Sequence, residues 1–171
     1  MRILEGTPAE IAEFLRLTDQ AAEGDVAETA DVLAASGGMD EASVQAFIDQ
    51  RGRTDAGKAR VRKYFEKLGR TGVEIVTGQS ARTKDGHTDY LMVRDDGPRR
   101  FGAVAYVKPA NSGLTLRLTR EDVADLAPDH IQFRDVRAGH QYVVNCPLTS
   151  DEAIDWAVEL TLRALAKVRT A

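Results

Sequence analysis

The sequence has little cysteine and no long apolar run. Cys146 is the only cysteine among 171 residues, which excludes an intrachain disulfide and a zinc site built from several cysteines. No stretch approaches the roughly 18 apolar residues that a membrane-spanning helix needs. The first ten residues, MRILEGTPAE, contain one basic residue and lack the apolar core of a signal peptide. We therefore expect a cytoplasmic protein that does not associate with a membrane.

Motifs for catalysis or metal binding are also missing. The three histidines, His87, His130 and His140, do not have the HxxxH or HExxH spacing of metal ligands. Gly57-Lys58 lacks the upstream glycine and the following Ser or Thr of a phosphate-binding loop. We predict no catalytic residue, no metal ligand, no cofactor and no enzymatic activity. A metal-dependent hydrolase or nuclease that uses the histidines is a third-ranked alternative.

Positive charge, in contrast, is concentrated in one segment. The chain has a net charge of −4, and residues 1–50 contain two basic and eleven acidic side chains. Residues 51–70, RGRTDAGKARVRKYFEKLGR, contain eight basic and two acidic side chains, for a local charge of +6. Because the field at one face matters more to a partner than the total charge, this segment is the first candidate for a binding surface.

Helix signals occupy the first seventy residues. Thr7 as a cap and Pro8 in the first turn begin one helix. Its apolar face contains Ile11, Phe14 and Leu15. A second helix follows Asp40, and a third follows Thr54. The third helix has an apolar stripe of Val61, Tyr64, Phe65 and Leu68, with basic side chains on the remaining circumference.

Strand signals follow the helices. Alternating and β-branched residues predict strands over residues 73–77, 90–94, 101–108, 114–118, 131–137 and 141–146. The first two strands form a hairpin whose tip contains the turn pair Asp85-Gly86. A short helix is predicted from Thr119 to Leu126. A final helix begins with the capping box formed by Thr149 and Glu152.

This order predicts an α+β fold. A helical N-terminal part contains a winged-helix-like helix–helix–hairpin arrangement, and a compact strand-rich module with two helices follows. We divide the chain into an N-terminal strand or helix with an acidic linker (1–38), a winged-helix-like module (39–97) and an α+β module (98–171).

The main functional hypothesis is binding of double-stranded DNA, with transcription regulation as one role. In a winged helix, a basic helix lies in the major groove and the hairpin tip touches backbone phosphates. The candidate nucleic-acid-binding residues are Arg51, Arg53, Lys58, Arg60, Arg62, Lys63, Lys67, Arg82 and Lys84. A homodimer is compatible with this hypothesis.

The basic helix has two alternative interpretations. A charge-rich helix is commonly a solvated face, or it pairs with acidic segments of its own chain. In either case the protein is a non-enzymatic domain that binds another protein or a small ligand.

The C-terminal part resembles a known family in its order of strands, turns and helices. The segments FGAVAYVKPANSGLTLRLTREDVADL, IQFRDVRAGHQYVVNCPL and TSDEAIDWAVELTLRAL resemble the MmcQ/YjbR-like domains over about seventy residues. The resemblance implies a compact α+β fold, and DNA binding has been suggested for such domains. It implies no defined catalytic set, so it assigns no active-site residue here.

Overall fold

Among the described residues, two capped helices precede the sheet. In the computed structural model, helix α1 spans Glu41–Arg51, and the Asp40 carboxylate accepts a hydrogen bond of 2.7 Å from the backbone N of Ser43. Helix α2 spans Asp55–Leu68, and the Thr54 hydroxyl accepts one of 3.1 Å from the backbone N of Gly57. These caps satisfy backbone donors that a helix leaves free at its first turn. The structure describes residues 38–70, 72–82, 84–97, 102–126 and 128–170.

The strands form one antiparallel sheet of six. They are β1 (Val73–Gln79), β2 (His87–Asp95), β3 (Ala103–Lys108), β4 (Gly113–Leu116), β5 (Gln132–Phe133) and β6 (Val144–Pro147). Their spatial order is β1-β2-β3-β4-β6-β5, so β1 and β5 are the outermost strands among the described residues. The β1–β2 hairpin turns at Asp85-Gly86 as predicted, and Gly86 adopts a φ of 74° that favours glycine.

The main core lies between one face of the sheet and the helices. Helix α3 spans Asp151–Thr170 and packs its buried face against α2 and the central strands. The predicted apolar stripe of α2 is buried here. The Tyr64 hydroxyl lies 2.8 Å from Thr161 Oγ1, which itself donates to the carbonyl of Ala157 at 2.7 Å. This buried chain of hydrogen bonds fixes α2 against α3.

The opposite face of the sheet, here called the outer face, has its own small apolar cluster. It contains Val76, Met92, Ala103 and Tyr106, with Tyr90 and Tyr142 packed against them. Apart from Ala153, the buried apolar residues of the three described helices belong to the main core. The described helices therefore cover only one side of the sheet.

The structure confirms the mixed helix and strand composition and corrects several boundaries. The predicted helix from Thr119 to Leu126 is only a short 3-10 turn at Glu121–Val123, because the Asp122 carboxylate accepts hydrogen bonds from Thr119 and closes the turn. The predicted strand over 131–137 is reduced to two residues. Its single neighbour β6 pairs with only Gln132 and Phe133.

The start of the last helix also differs from the prediction. The Ser150 hydroxyl, rather than that of Thr149, accepts a hydrogen bond of 3.1 Å from the backbone N of Ala153. The helix itself is present over nearly the predicted length. Its cap is therefore one residue later than the capping box indicates.

The predicted division into three modules stays a prediction. The proposed boundary at residues 97 and 98 lies between β2 and β3, which are hydrogen-bonded neighbours in the same sheet. The predicted helix at Thr7 lies outside the described residues. Among the residues that are described, no helix is both long and apolar enough to cross a membrane.

Candidate nucleic-acid interface

The turn between α1 and α2 meets the tip of the β1–β2 hairpin. An Arg51 guanidinium nitrogen donates to both carboxylate oxygens of Asp85, at 2.7 and 2.6 Å. The Gln50 amide donates to the same carboxylate at 3.3 Å. The Arg51 guanidinium also lies 5.6 Å from the centre of the Phe47 ring, within the range of a cation–π contact. These contacts hold the hairpin tip against the end of α1.

The Asp85 carboxylate is stabilised in its charged form. Loss of solvent raises the pKa of Asp85, but the hydrogen bonds from the backbone N of His87 and from Arg51 outweigh it and hold the pKa below its usual value. Asp85 therefore stays ionised at neutral pH and reduces the positive charge of this corner by one unit.

Five of the predicted cations take part in this contact or lie on or beside the two turns that it joins, and we call them the corner surface. They are Arg51, Arg53, Lys58, Arg82 and Lys84. Arg53 and Lys84 are exposed, and within the described ranges neither makes a side-chain hydrogen bond or an ion pair. Lys58 folds back over the turn, with its Cγ atom in the space that a Cβ of Gly52 would occupy. The end of α1 and the hairpin tip therefore lie together.

The other cations of α2 point toward neighbouring helices. Arg62 donates to the Gln45 side chain at 2.8 Å and pairs with Asp49, so it joins α2 to α1. Lys63 lies 2.8 Å from Asp151, which is in the first turn of α3. The remaining pair on that side joins Lys67 to Asp155. These side chains connect the three helices and are not part of the corner surface.

Arg60 is exposed on the same flank of α2 as the ion pairs with α3. The pKa of Asp151 is lowered, first by the hydrogen bond from Lys63 and further by the charges of Lys67 and Arg60. The nine predicted residues therefore fall into a corner group and a group along the helix–helix contacts. They do not form a single uninterrupted row.

Sequence reasoning missed the carboxylate partners, although a spacing signal existed. Lys63 and Lys67 are four residues apart on α2, and Asp151 and Asp155 are four residues apart on α3. Residues at this spacing lie on the same face of a helix. Two such pairs of opposite sign predict facing helices, but only if the helices are already known to be neighbours.

The three histidines have separate surroundings. His130 lies 3.6 Å from Glu152, and His140 Nδ1 accepts a hydrogen bond of 3.1 Å from the backbone N of Tyr142. His87 is exposed, with its Nδ1 atom 3.3 Å from Thr77 Oγ1. In the part of the chain that the structure describes, no three His, Cys, Asp or Glu side chains are arranged to hold a metal ion.

Cys146 is buried, and we expect it to be unreactive in the folded protein. Its thiol is fully shielded and donates weakly to the carbonyl of Ala153 at 3.6 Å, and burial raises its pKa to about 12. Because the thiolate is the reacting species, modification by Ellman's reagent should be at least about 100-fold slower than in denaturant. Rapid stoichiometric modification of the native protein would contradict this placement.

Comparison with protein-family models, curated proteins and solved structures gave no match to this chain. The resemblance of the C-terminal part to MmcQ/YjbR-like domains therefore stays a prediction. Function has to be inferred from the residues themselves.

Proposed function

We propose that the protein binds double-stranded DNA and that the corner surface contacts the phosphate backbone. The contact between Arg51 and Asp85 is the observation that supports this proposal most directly. It brings the α1–α2 turn and the hairpin tip together, and so groups Arg53 with Lys84. Exposed arginine and lysine side chains suit phosphate oxygens, which accept hydrogen bonds and carry negative charge.

Backbone contact has more support than base recognition by α2 in the major groove. Within the described part of the chain, five of the nine predicted cations have a carboxylate within 4.0 Å: Arg51, Lys58, Arg62, Lys63 and Lys67. These carboxylates neutralise much of the helix's charge, and Glu66 is exposed on the same helix. We therefore propose binding with little dependence on base sequence, from which a role in transcription regulation would require a further specificity element.

The salt dependence of binding tests the proposal. Each neutralised phosphate releases condensed counterions, so about four contacts give a drop in affinity on the order of 100-fold between 50 and 200 mM salt. Fluorescence anisotropy of a labelled duplex, titrated at both salt concentrations, measures this drop. No detectable binding at low salt would contradict the proposal.

Charge reversal at the corner gives the matched comparison. The double variant Arg53→Glu with Lys84→Glu should bind duplex DNA about 10-fold more weakly or worse, because two phosphate contacts become repulsive. Neither side chain has a partner in the described part of the chain, so the fold should survive. Circular dichroism and the melting temperature check this.

The control variant is Arg120→Glu with Arg137→Glu. Both residues are exposed, and the change in net charge is the same. Affinity should fall much less than in the corner variant. An equal fall in both variants would assign the binding to overall charge and reject the corner surface.

The second candidate is a non-enzymatic domain that binds another protein or a small ligand. The pairs of Lys63 with Asp151 and of Lys67 with Asp155 favour it, because they give the basic helix a structural use within the chain. A folded protein without affinity for DNA at low salt would leave this candidate in place.

A further inference from the structure

The outer face of the sheet carries an apolar cluster that lies apart from the described helices. Its members Val76, Met92, Ala103 and Tyr106 lie on three adjacent strands. None of the described helices contributes to this cluster. A contiguous apolar patch of this kind is typical of a surface on which another segment docks.

The composition of this face is suited to being covered. Tyr106 packs against Tyr90 and Tyr142 with ring centres 5.1 and 5.0 Å apart, and the Tyr142 hydroxyl donates to the carbonyl of Ala103 at 2.7 Å. Arg94 on the same face is buried, and its guanidinium lies 3.6 Å from Glu74. Buried arginine is rare in proteins unless it is paired and enclosed. The face thus combines an aromatic centre with a shielded ion pair.

The chain that precedes residue 38 starts at the edge of this face. The backbone N of Met39 donates to the carbonyl of Ile75 at 2.7 Å, which places residue 39 beside the edge strand β1. A Cβ on Gly38 would lie 3.2 Å from the Cβ of Glu74, a side chain of the outer face. Residues 1–37 therefore join the described fold where they can cross directly over β1 and β2.

We propose that residues 1–37 of this chain dock on the outer face. The helix predicted after Thr7 supplies an apolar stripe of Ile11, Phe14 and Leu15 for the cluster around Met92. A helix of about 12 residues is roughly 18 Å long, which spans about four strands. The fold then has three layers, with this segment on one side of the sheet and α1, α2 and α3 on the other.

Charge favours the same occupant. Residues 1–37 contain eight acidic and two basic side chains. Lys108 and Arg117 lie at the ends of neighbouring strands on the outer face, while Glu74 balances the charge of Arg94. An acidic amphipathic segment is therefore complementary to this face in both its apolar centre and its basic surroundings. This position also puts the acidic segment across the sheet from the basic helix.

The rate of methionine oxidation in the full-length protein tests whether residues 1–37 shield the outer face. The chain has three methionines, Met1, Met39 and Met92, and Met39 is partly exposed. With dilute hydrogen peroxide and peptide mass spectrometry, Met92 should oxidise at least about 10-fold more slowly than Met39, because oxidant must reach the sulfur. Equal rates at the two methionines would overturn the proposal.

Charged residues in the apolar stripe of Ile11, Phe14 and Leu15 should prevent residues 1–37 from docking on the outer face. Phe14→Asp with Leu15→Asp should speed the oxidation of Met92 at least about 10-fold, because two charges cannot be buried against the cluster. The control, Ala9→Asp with Gln20→Asp, adds the same charge on the opposite side of the predicted helix and should leave the rate unchanged.

Two further measurements separate undocking of residues 1–37 from global unfolding and from dimerisation. The thiol of Cys146 lies in the helix-side core and must stay protected in both variants, so that global unfolding is not mistaken for undocking. Continued protection of Met92 in the Phe14 and Leu15 variant would overturn the proposal. Protection that disappears on dilution would assign the cover to a second copy of the chain and would also overturn it.

Discussion

Replacing Arg169 by alanine is expected to lower the free energy of unfolding by about 3 kcal/mol. Near the C-terminal end of α3, this guanidinium donates to Asp95 Oδ1 at 2.9 and 2.5 Å and to the carbonyl of Gly72 at 2.8 Å. The Asp95 side chain is only 4% exposed. Without Arg169, the buried Asp95 carboxylate loses the positive charge and the hydrogen bonds that stabilise it. Because keeping this charge out of water costs free energy, the folded state becomes less stable.

Urea denaturation followed by circular dichroism measures this effect. The control is Arg137→Ala, which removes an exposed arginine and should change the free energy of unfolding by less than about 0.5 kcal/mol. Removing both partners, in Arg169→Met with Asp95→Leu, should cost less than Arg169→Ala alone, because no unpaired charge remains. A loss of under about 1 kcal/mol in Arg169→Ala would contradict the assigned role of this contact.

Acid is expected to destabilise the fold steeply below about pH 4. The pKa values of Asp122, Asp125 and Asp151 are all lowered from 3.8 in the folded chain. For Asp125 and Asp151 the main cause is the hydrogen bond from Arg163 and Lys63, respectively. A group whose pKa is lowered by folding adds stability above its unfolded pKa, and that stability is lost as the pH falls through the folded pKa.

Protonation of Asp122 is expected to contribute to the loss of stability in acid. Burial raises its pKa, but Lys167 at 2.5 Å and the hydrogen bonds from Thr119 outweigh burial and lower it. The melting temperature should be nearly constant from about pH 7 to pH 5 and should fall by roughly 10 °C or more by about pH 2.5.

Differential scanning calorimetry across this range measures that fall. In Asp122→Asn the fall should be smaller, since the variant has already lost this titrating group. A melting temperature that does not change between pH 5 and pH 2.5, or a variant with an unchanged slope, would contradict the assignment.

Local patterns predict the parts of the fold that depend on neighbouring residues. The stripe of α2 is buried at every predicted position, and Asp85-Gly86 forms the hairpin turn. Caps and turns are local because the side chain acts on backbone groups two or three residues away. The same locality explains why Thr54 is predictable as a cap.

The missed features depend on contacts between distant segments. β5 is short because its pairing with β6 is limited, which the β-branched pattern of residues 131–137 does not encode. The carboxylate partners of Lys63 and Lys67 come from α3, almost ninety residues away. The basic segment of the sequence shows how many cations are present. Which carboxylates they pair with depends on how the helices pack.

The base of the β1–β2 hairpin is part of the sheet, and its tip is held against the end of α1 by Arg51 and Gln50. A hairpin that projects freely must be ordered when it meets a partner, at an entropic cost of about 0.5–1.5 kcal/mol for each immobilised long side chain. Here β2 pairs with β3, and Arg51 holds the hairpin tip through its ion pair with Asp85. The backbone of this corner is therefore held before a partner docks, and the ordering cost falls on exposed side chains such as Arg53 and Lys84.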